Sequence, residues 1–478
     1  MSAATAIDLD AEVEAIRHRR AAVGIALGLV EDGVTTQLAT SGLADLATDS
    51  PVSADTAFRV ASITKTFTGV AVMQLVERGL VDLDAPANDY LRSFRLEPPT
   101  PDSPPLTVRQ LLTHTAGLPE SLSLRHAVRP DFGESTPADV PAPSLGDYYG
   151  GVLHGVAEPG TRFCYTNHGP ATLGQIVEDV TDAPLADHLA EHVFAPWGMT
   201  STDLDQSRPG DPRRATGYRL TARGPRPVPV TNMATIGAAA AWSTPVDMLR
   251  YAEALVGGGA NAHGRALAHA TVADMVAPHY QPDPRIPGMG LAFFRGRLGE
   301  HSTAEHQGII PGFDSVLVLA PDARTAVFLV VTGARLGMFW VPDEAGTLLR
   351  KVLGVPPAAV RTHVAQRPEV WDQVCGTYTL PGALGDLRLR SVVGAGIQVL
   401  VRRGRLVLRC LHPVPFLYRG VELTPDDPAD PFTFRLDLSP AGLSPIRVVF
   451  GPDPGSGRMA MHLEVMPLTA YRRGRDQR

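Results

Sequence analysis

The sequence predicts an α+β unit followed by a separate antiparallel β domain, on three observations. Residues 23–43 read as strand, Asp32-Gly33 turn, strand, and from Ser62 the pattern becomes helical. Residues 315–331 read as two apolar strands about the turn Pro321-Asp322-Ala323. Past residue 369 the chain changes to period-2 alternation, as in Phe432/Phe434/Leu436/Leu438 and Met459/Met461/Leu463/Val465.

At the N-terminus, Arg17-His18-Arg19-Arg20 and the apolar run 21–30 imitate a secretory leader. The preceding stretch is acidic (Asp8, Asp10, Glu12, Glu14), and the run is too short for a bilayer and ends in Glu31-Asp32-Gly33. A buried strand and hairpin turn account for it better. From Thr66 to Val76 the chain is apolar nearly all round (Phe67, Val70, Val72, Met73, Leu75, Val76), which predicts a helix buried on every side, with Gly79 just past its end. The Pro-rich stretches 97–105 and 131–143 predict loops, the second in a long insertion of the kind that forms lids or binding loops. Helical patterns follow at 169–182, 184–192 and 245–256. The organisation expected is a catalytic domain over 1–353, a linker over 354–368 and a β barrel or sandwich over 369–478, with Arg403-Gly404 turning between strands at 398–401 and 406–408.

The chain has 478 residues, 44% of them hydrophobic, enough for a large core. Its net charge of −7, with arginines mostly scattered, argues against a nucleic-acid partner. Cys164, Cys375 and Cys410 lie far apart, odd in number and without metal spacing, which argues against a disulfide framework and for a reducing compartment. The expectation is a cytoplasmic protein with no membrane span, no metal and no cofactor.

Of 43 lysines and arginines only two are lysines, and one is Lys65 in Ser62-Ile63-Thr64-Lys65. Arginine stays protonated in any protein environment, whereas a desolvated ammonium gives up its proton, so only a lysine can act as base toward a neighbouring hydroxyl. Positions i and i+3 of a helix share a face, which brings the Lys65 amine to the Ser62 hydroxyl. Ser62 is the candidate nucleophile, and at a helix start its backbone N–H can serve half of an oxyanion hole. To act near neutrality the amine must fall from about 10.4 toward roughly 7, which takes about 4 to 5 kcal/mol of destabilisation of its charged form.

Downstream, Tyr165 and Asn167 form Tyr-x-Asn after a Pro159-Gly160 turn. A phenol facing Ser62 can relay protons, and Asn167 can orient the lysine and donate to a substrate carbonyl. Glu305-His306-Gln307-Gly308-Ile309 opens a strand with a glycine where a substrate must approach the backbone. Cys164, His114, Trp242 and Trp371 receive structural readings, Cys164 because consecutive strand residues point to opposite faces. Glu305 and Asp314 flank His-x-Gly without an assignable partner.

In this order and at these separations, Ser-x-x-Lys, Tyr-x-Asn and His-x-Gly resemble the three motifs of the serine β-lactamase and penicillin-binding-protein superfamily. The resemblance is to its class C-like branch, with D-aminopeptidases, esterases and related acyltransferases. Leu111-Leu112-Thr113-His114-Thr115-Ala116-Gly117-Leu118-Pro119 resembles that branch's signature between the first two motifs, and the likeness covers residues 10–350. It implies a β-lactamase/DD-peptidase-like antiparallel sheet flanked by helices, with Ser62 at the start of a central helix. Ser62 would be acylated, Lys65 and Tyr165 would share general base and acid duty, Asn167 would orient, and His306 would take the third-motif position. The oxyanion hole would be the N–H groups of Ser62 and Ile309, with Gln307 and Gly308 lining the substrate.

Penicillinases and cell-wall carboxypeptidases usually carry Lys-Thr-Gly as the third motif. His306, mostly neutral near pH 7, weakens attraction for a substrate carboxylate. The leading expectation is therefore a serine hydrolase acting on an ester or a small peptide, perhaps with a D-residue. The alternatives are a penicillin-binding-protein-type thioesterase that releases or cyclises a nonribosomal peptide from a peptidyl carrier protein, and a non-catalytic penicillin-binding or sensor module. In relatives with His-x-Gly, a C-terminal β domain tends to cover the active site.

Overall fold

The computed structural model describes residues 7–129, 133–206, 208, 210–381, 396–411 and 415–474. Its centre is a seven-stranded antiparallel sheet. The strands are β1 (Gly24–Glu31), β2 (Val34–Asp45), β3 (Ser50–Pro51), β4 (Phe294–Leu298), β5 (His301–Ile310), β6 (Phe313–Ala320) and β7 (Thr325–Thr332), in the order β4-β5-β6-β7-β1-β2-β3. Chain start and chain middle thus meet in one sheet, β1 pairing with β7 from Gly24 opposite Thr332 to Val30 opposite Ala326.

Helices cover both faces. α1 (Leu9–Arg20) and α5 (Gly337–Val352) pack on one, where Ile25, Leu27 and Leu29 join Val316, Leu329 and Trp340. On the other, Ala26 and Val30 join the large core with α2 (Thr64–Glu77), α3 (His168–Thr181) and α4 (Pro245–Val256). That two-sided cover is why β1 reads as a continuous apolar run without alternation. At Gly28 a Cβ would collide with Leu249, so glycine lets α4 lie directly on the strand. The leader-like segment is accordingly the basic end of α1 followed by β1.

α2 is buried at every position from Thr64 to Leu75. Gly79 takes φ +68° just past it, with the N–H groups of Gly79 and Leu80 closing on Val76 and Leu75. Helices expected near 169–182 and 245–256 appear as α3 and α4, whereas the one near 184–192 is a short helix, Leu185–Leu189, that opens into a π turn. Pro321–Ala323 is a 3-10 turn between β6 and β7. Within the Pro-rich stretch 131–143, residues 131 and 132 lie outside the described residues, and Ser135–Pro137 pairs with Thr231–Met233.

Eight antiparallel strands between Gly376 and Arg472 close into a barrel. Its interior is filled by side chains, among them Tyr378, Phe434, Phe450 and Met461. Arg403 and Gly404, both at positive φ, make the two-residue turn between its strands Ile397–Arg402 and Arg405–Cys410. Val465 departs from the expected alternation and is exposed, because it lies in the turn between the last two strands, Met459–Leu463 and Met466–Arg472. Among the described residues no helix is long and apolar enough to cross a membrane.

Candidate active site

Ser62 lies in a 3-10 turn, Ala61–Ile63, that runs directly into α2, one step before the α-helical turn expected for it. Ala61 has φ +47°, a left-handed conformation that costs a residue with a Cβ about 1 to 3 kcal/mol. Its neighbours hold it there. The Val60 N–H donates to Ala241 O at 3.1 Å, and Val60 O accepts from Ser315 Oγ at 3.1 Å. A Cβ on Gly308 would collide with both Val60 O and Ser315 Oγ. This glycine thus permits the close approach of the nucleophile's own turn.

Lys65 is 1% exposed. Its Nζ lies 2.8 Å from Ser62 Oγ, 2.7 Å from Asn167 Oδ1 and 3.0 Å from Ala238 O. The last two are carbonyl oxygens and can only accept. A neutral amine has two N–H bonds to give them, and its lone pair is then left toward the serine hydroxyl.

Asn167 stands at the N-cap position of α3, with its side chain free of any capping bond to that helix. Its Nδ2 donates to Glu134 Oε2 at 2.6 Å, and the same oxygen accepts from Thr235 Oγ1 at 3.0 Å. One of the two amide N–H bonds thus turns to a buried carboxylate, which leaves the second for the substrate carbonyl expected of it, and the expected orienting contact to Lys65 is made by Oδ1. Sequence reasoning missed both Glu134 and Ala238. Glu134 stands alone in a Pro-rich insertion, and Ala238 contributes only a backbone oxygen, which no residue type announces.

Lys65 Nζ stands 5.1 Å from the centre of the Tyr165 ring. That ring lies between His114 at 4.6 Å, Phe294 at 6.1 Å and His306 at 6.4 Å. The chain around Tyr165 is irregular, so strand alternation does not apply to Cys164. His114 holds the segment instead, its carbonyl accepting the Cys164 N–H at 2.7 Å and its Nδ1 the Thr166 N–H at 3.4 Å. His114 itself has φ +56°, and burial, helped by the Lys65 charge, holds its pKa well below the usual histidine value.

The pairing of β5 with β4 ends at Glu305, opposite Phe294, and residues 306–310 continue with β6. His306 and Gly308 face the nucleophile turn. Alternation sends Gln307 and Ile309 to the other face, where Gln307 Nε2 donates to Met338 O at 2.8 Å. The expected substrate contact of Gln307 is therefore open only to its backbone. Ile309 likewise turns its side chain outward, 47% exposed. His306 Nδ1 is 2.9 Å from Gln307 O and must donate to it, which leaves Nε2 as an acceptor, buried and without a hydrogen-bond partner among the described residues. Burial, reinforced by Lys65, lowers His306 to about 3, so the ring is neutral at pH 7. Glu305 and Asp314 lie on the face away from Ser62, each raised to about 7 by burial. Among the described residues no group of three or more His, Cys, Asp or Glu is placed to hold a metal.

The barrel reaches this wall. Burial raises the Tyr280 hydroxyl to about 12, and the backbone of Phe163, two residues before Tyr165, and the side chain of Thr469 on the last barrel strand lie near enough to temper that rise. Arg285 adds contacts to Asp430 (2.8 Å) and Phe450 O (2.8 Å).

A family model described as Beta-lactamase matches residues 9–348. Esterase EstB of Burkholderia gladioli is 31% identical over 211 residues, 44% of this chain and 54% of that protein. A D-amino acid amidase from Ochrobactrum anthropi SV3 superposes with a TM-score of 0.56 at 27% identity, over 73% of this chain and 99% of that one. An octameric penicillin-binding protein homologue from Pyrococcus abyssi shares the fold over 98% of this chain and 100% of its own, with a TM-score of 0.61 and 21% identity. The chain spans about half to two thirds of the length of the first curated relatives it matches.

Proposed function

This chain belongs to the Beta-lactamase family, and from that premise we propose that it is a serine hydrolase or acyltransferase that forms an acyl-enzyme on Ser62 with a small ester or amide as donor. Lys65 takes the Ser62 proton, and Tyr165, stacked beside the amine, returns it to the leaving group. The N–H groups of Ser62 and Ile309 receive the oxyanion, and Asn167 orients the base. The observation that carries this reading is the 2.8 Å approach of Lys65 Nζ to Ser62 Oγ with two obligate acceptors occupying its other directions.

His306 supports an ester or amide over a carboxylate-bearing donor. It is neutral and presents an acceptor nitrogen where the penicillin-interacting branch has a fixed cation, so a substrate carboxylate gains nothing there. Likeness to an esterase and to a D-amino acid amidase favours the same donors. Intact-protein mass spectrometry after exposure to a p-nitrophenyl ester, a D-amino acid amide and a β-lactam tests the proposal. Fast acylation and turnover with the ester or amide is expected. A stable adduct from the β-lactam alone would overturn it in favour of a penicillin-binding module.

A further inference from the structure

Glu134 is 2% exposed and lies outside all three motifs. Its backbone oxygen accepts the Ala234 N–H at 2.8 Å, and its Oε2 accepts from Asn167 Nδ2 and Thr235 Oγ1. The two groups that take the N–H bonds of Lys65 are therefore both tied to it. Asn167 is bonded to it directly, and Ala238 sits on the short helix Ile236–Ala239 that Thr235 opens. The two ends of an amide have nearly the same shape, so packing alone does not decide which one faces the lysine. An ionised carboxylate only accepts, so it forces Nδ2 toward itself and Oδ1 toward Lys65.

We infer that Glu134 is a positioning residue for the base: through Asn167 it fixes the amide so that the Lys65 lone pair points at Ser62, and its charge sets the pH at which Lys65 becomes free to act. The inference rests on the acyl-enzyme reading of Ser62 and Lys65. A flipped Asn167 would present N–H bonds to the amine, and the amine would answer by turning its lone pair to Asn167 and away from the serine. The carboxylate also stabilises the ammonium through one intervening amide, so its removal lets Lys65 lose its proton at lower pH. The other titratable groups around the amine are Tyr165, His114 and His306, and both histidines are held neutral by burial. Tyr149 is the further group felt on the Glu134 side, and burial raises its hydroxyl well above the usual tyrosine value.

The test is the pre-steady-state acylation rate with a p-nitrophenyl ester across pH for the full-length wild type, E134Q, N167A and E134Q/N167A. Expected are a rate at least about tenfold lower in E134Q, an acid limb moved to lower pH, and a double variant no slower than N167A. An unchanged rate and limb in E134Q, or losses that multiply in the double variant, would overturn the inference. If E134Q does not fold, E134D carries the test: it keeps the charge but draws it back by one methylene, so a slower rate with an unmoved limb is expected, and a wild-type rate refutes the role. Absence of any adduct on Ser62 in the wild type would instead sink the acyl-enzyme reading itself.

Discussion

Lys65 Nζ and Ser62 Oγ lie 2.8 Å apart across the junction of a 3-10 turn and an α-helix, with the amine almost wholly enclosed. Ser62→Ala removes one oxygen from this contact and no packing group. It should abolish labelling by a fluorophosphonate and shift the melting temperature by no more than a few degrees. Label retained on the variant would move the nucleophile elsewhere.

Lys65→Arg should be as damaging as Lys65→Ala, each by about three orders of magnitude or more in kcat/KM. Arginine keeps the charge but holds its proton, and its larger fork would have to fit where the lysine is almost wholly enclosed. Near-normal turnover in the arginine variant would reduce Lys65 to an electrostatic group. Comparing single-turnover rates of the two variants decides the matter.

Much of this arrangement is legible in the sequence because each part has its own signal there. The i, i+3 spacing gives the Ser62 to Lys65 contact, and the all-round apolar pattern gives α2. What is not legible depends on atoms that carry no residue signature. Ala238 contributes a main-chain oxygen, Glu134 arrives from a loop, and the direction of the Asn167 amide is set only after folding. Gln307 illustrates the limit differently, because its place beside His306 suggested a substrate contact. Strand alternation, once the register is fixed, turns it to the opposite face.

Tyr165→Phe should lower kcat by about two to four orders of magnitude while KM changes little. The ring packing against His114, Phe294 and His306 survives the change, so the loss reports the hydroxyl alone. Steady-state kinetics with an unchanged kcat would leave the proton transfers to Lys65.

Glu305→Gln should flatten part of the pH dependence of stability. Burial raises the folded pKa of Glu305 from 4.5 to about 7. Between those values the folded protein keeps a proton that the unfolded chain has released, so Glu305 supports stability fully below about pH 4.5 and loses that support as pH rises to about 7. The wild-type advantage over the glutamine variant should therefore shrink between pH 4.5 and 7 and be constant above. Chemical denaturation at pH 4.5, 6 and 8 measures it, and parallel curves would mean that the carboxyl is solvated.

The last prediction concerns the barrel. Arg285 ties the loop that follows Tyr280 to Asp430 and to Phe450 O of the barrel, and the Tyr280 hydroxyl lies near both Thr469 on the final barrel strand and the backbone of Phe163, two residues from Tyr165. The barrel therefore leans on the segment that carries the phenol, yet Ser62, Lys65, Asn167 and His306 all belong to other elements. Arg285→Ala combined with Thr469→Val loosens this seam without touching the chemistry. Acylation by a short activated ester should stay within about threefold of wild type, whereas the ratio of kcat/KM for a long to a short acyl ester should change by about tenfold, because a wall that excludes water and shapes the acyl site has been loosened. Limited proteolysis confirms that the seam has opened. An unchanged ratio in a protein whose barrel is demonstrably loosened would make the barrel a bystander to substrate choice.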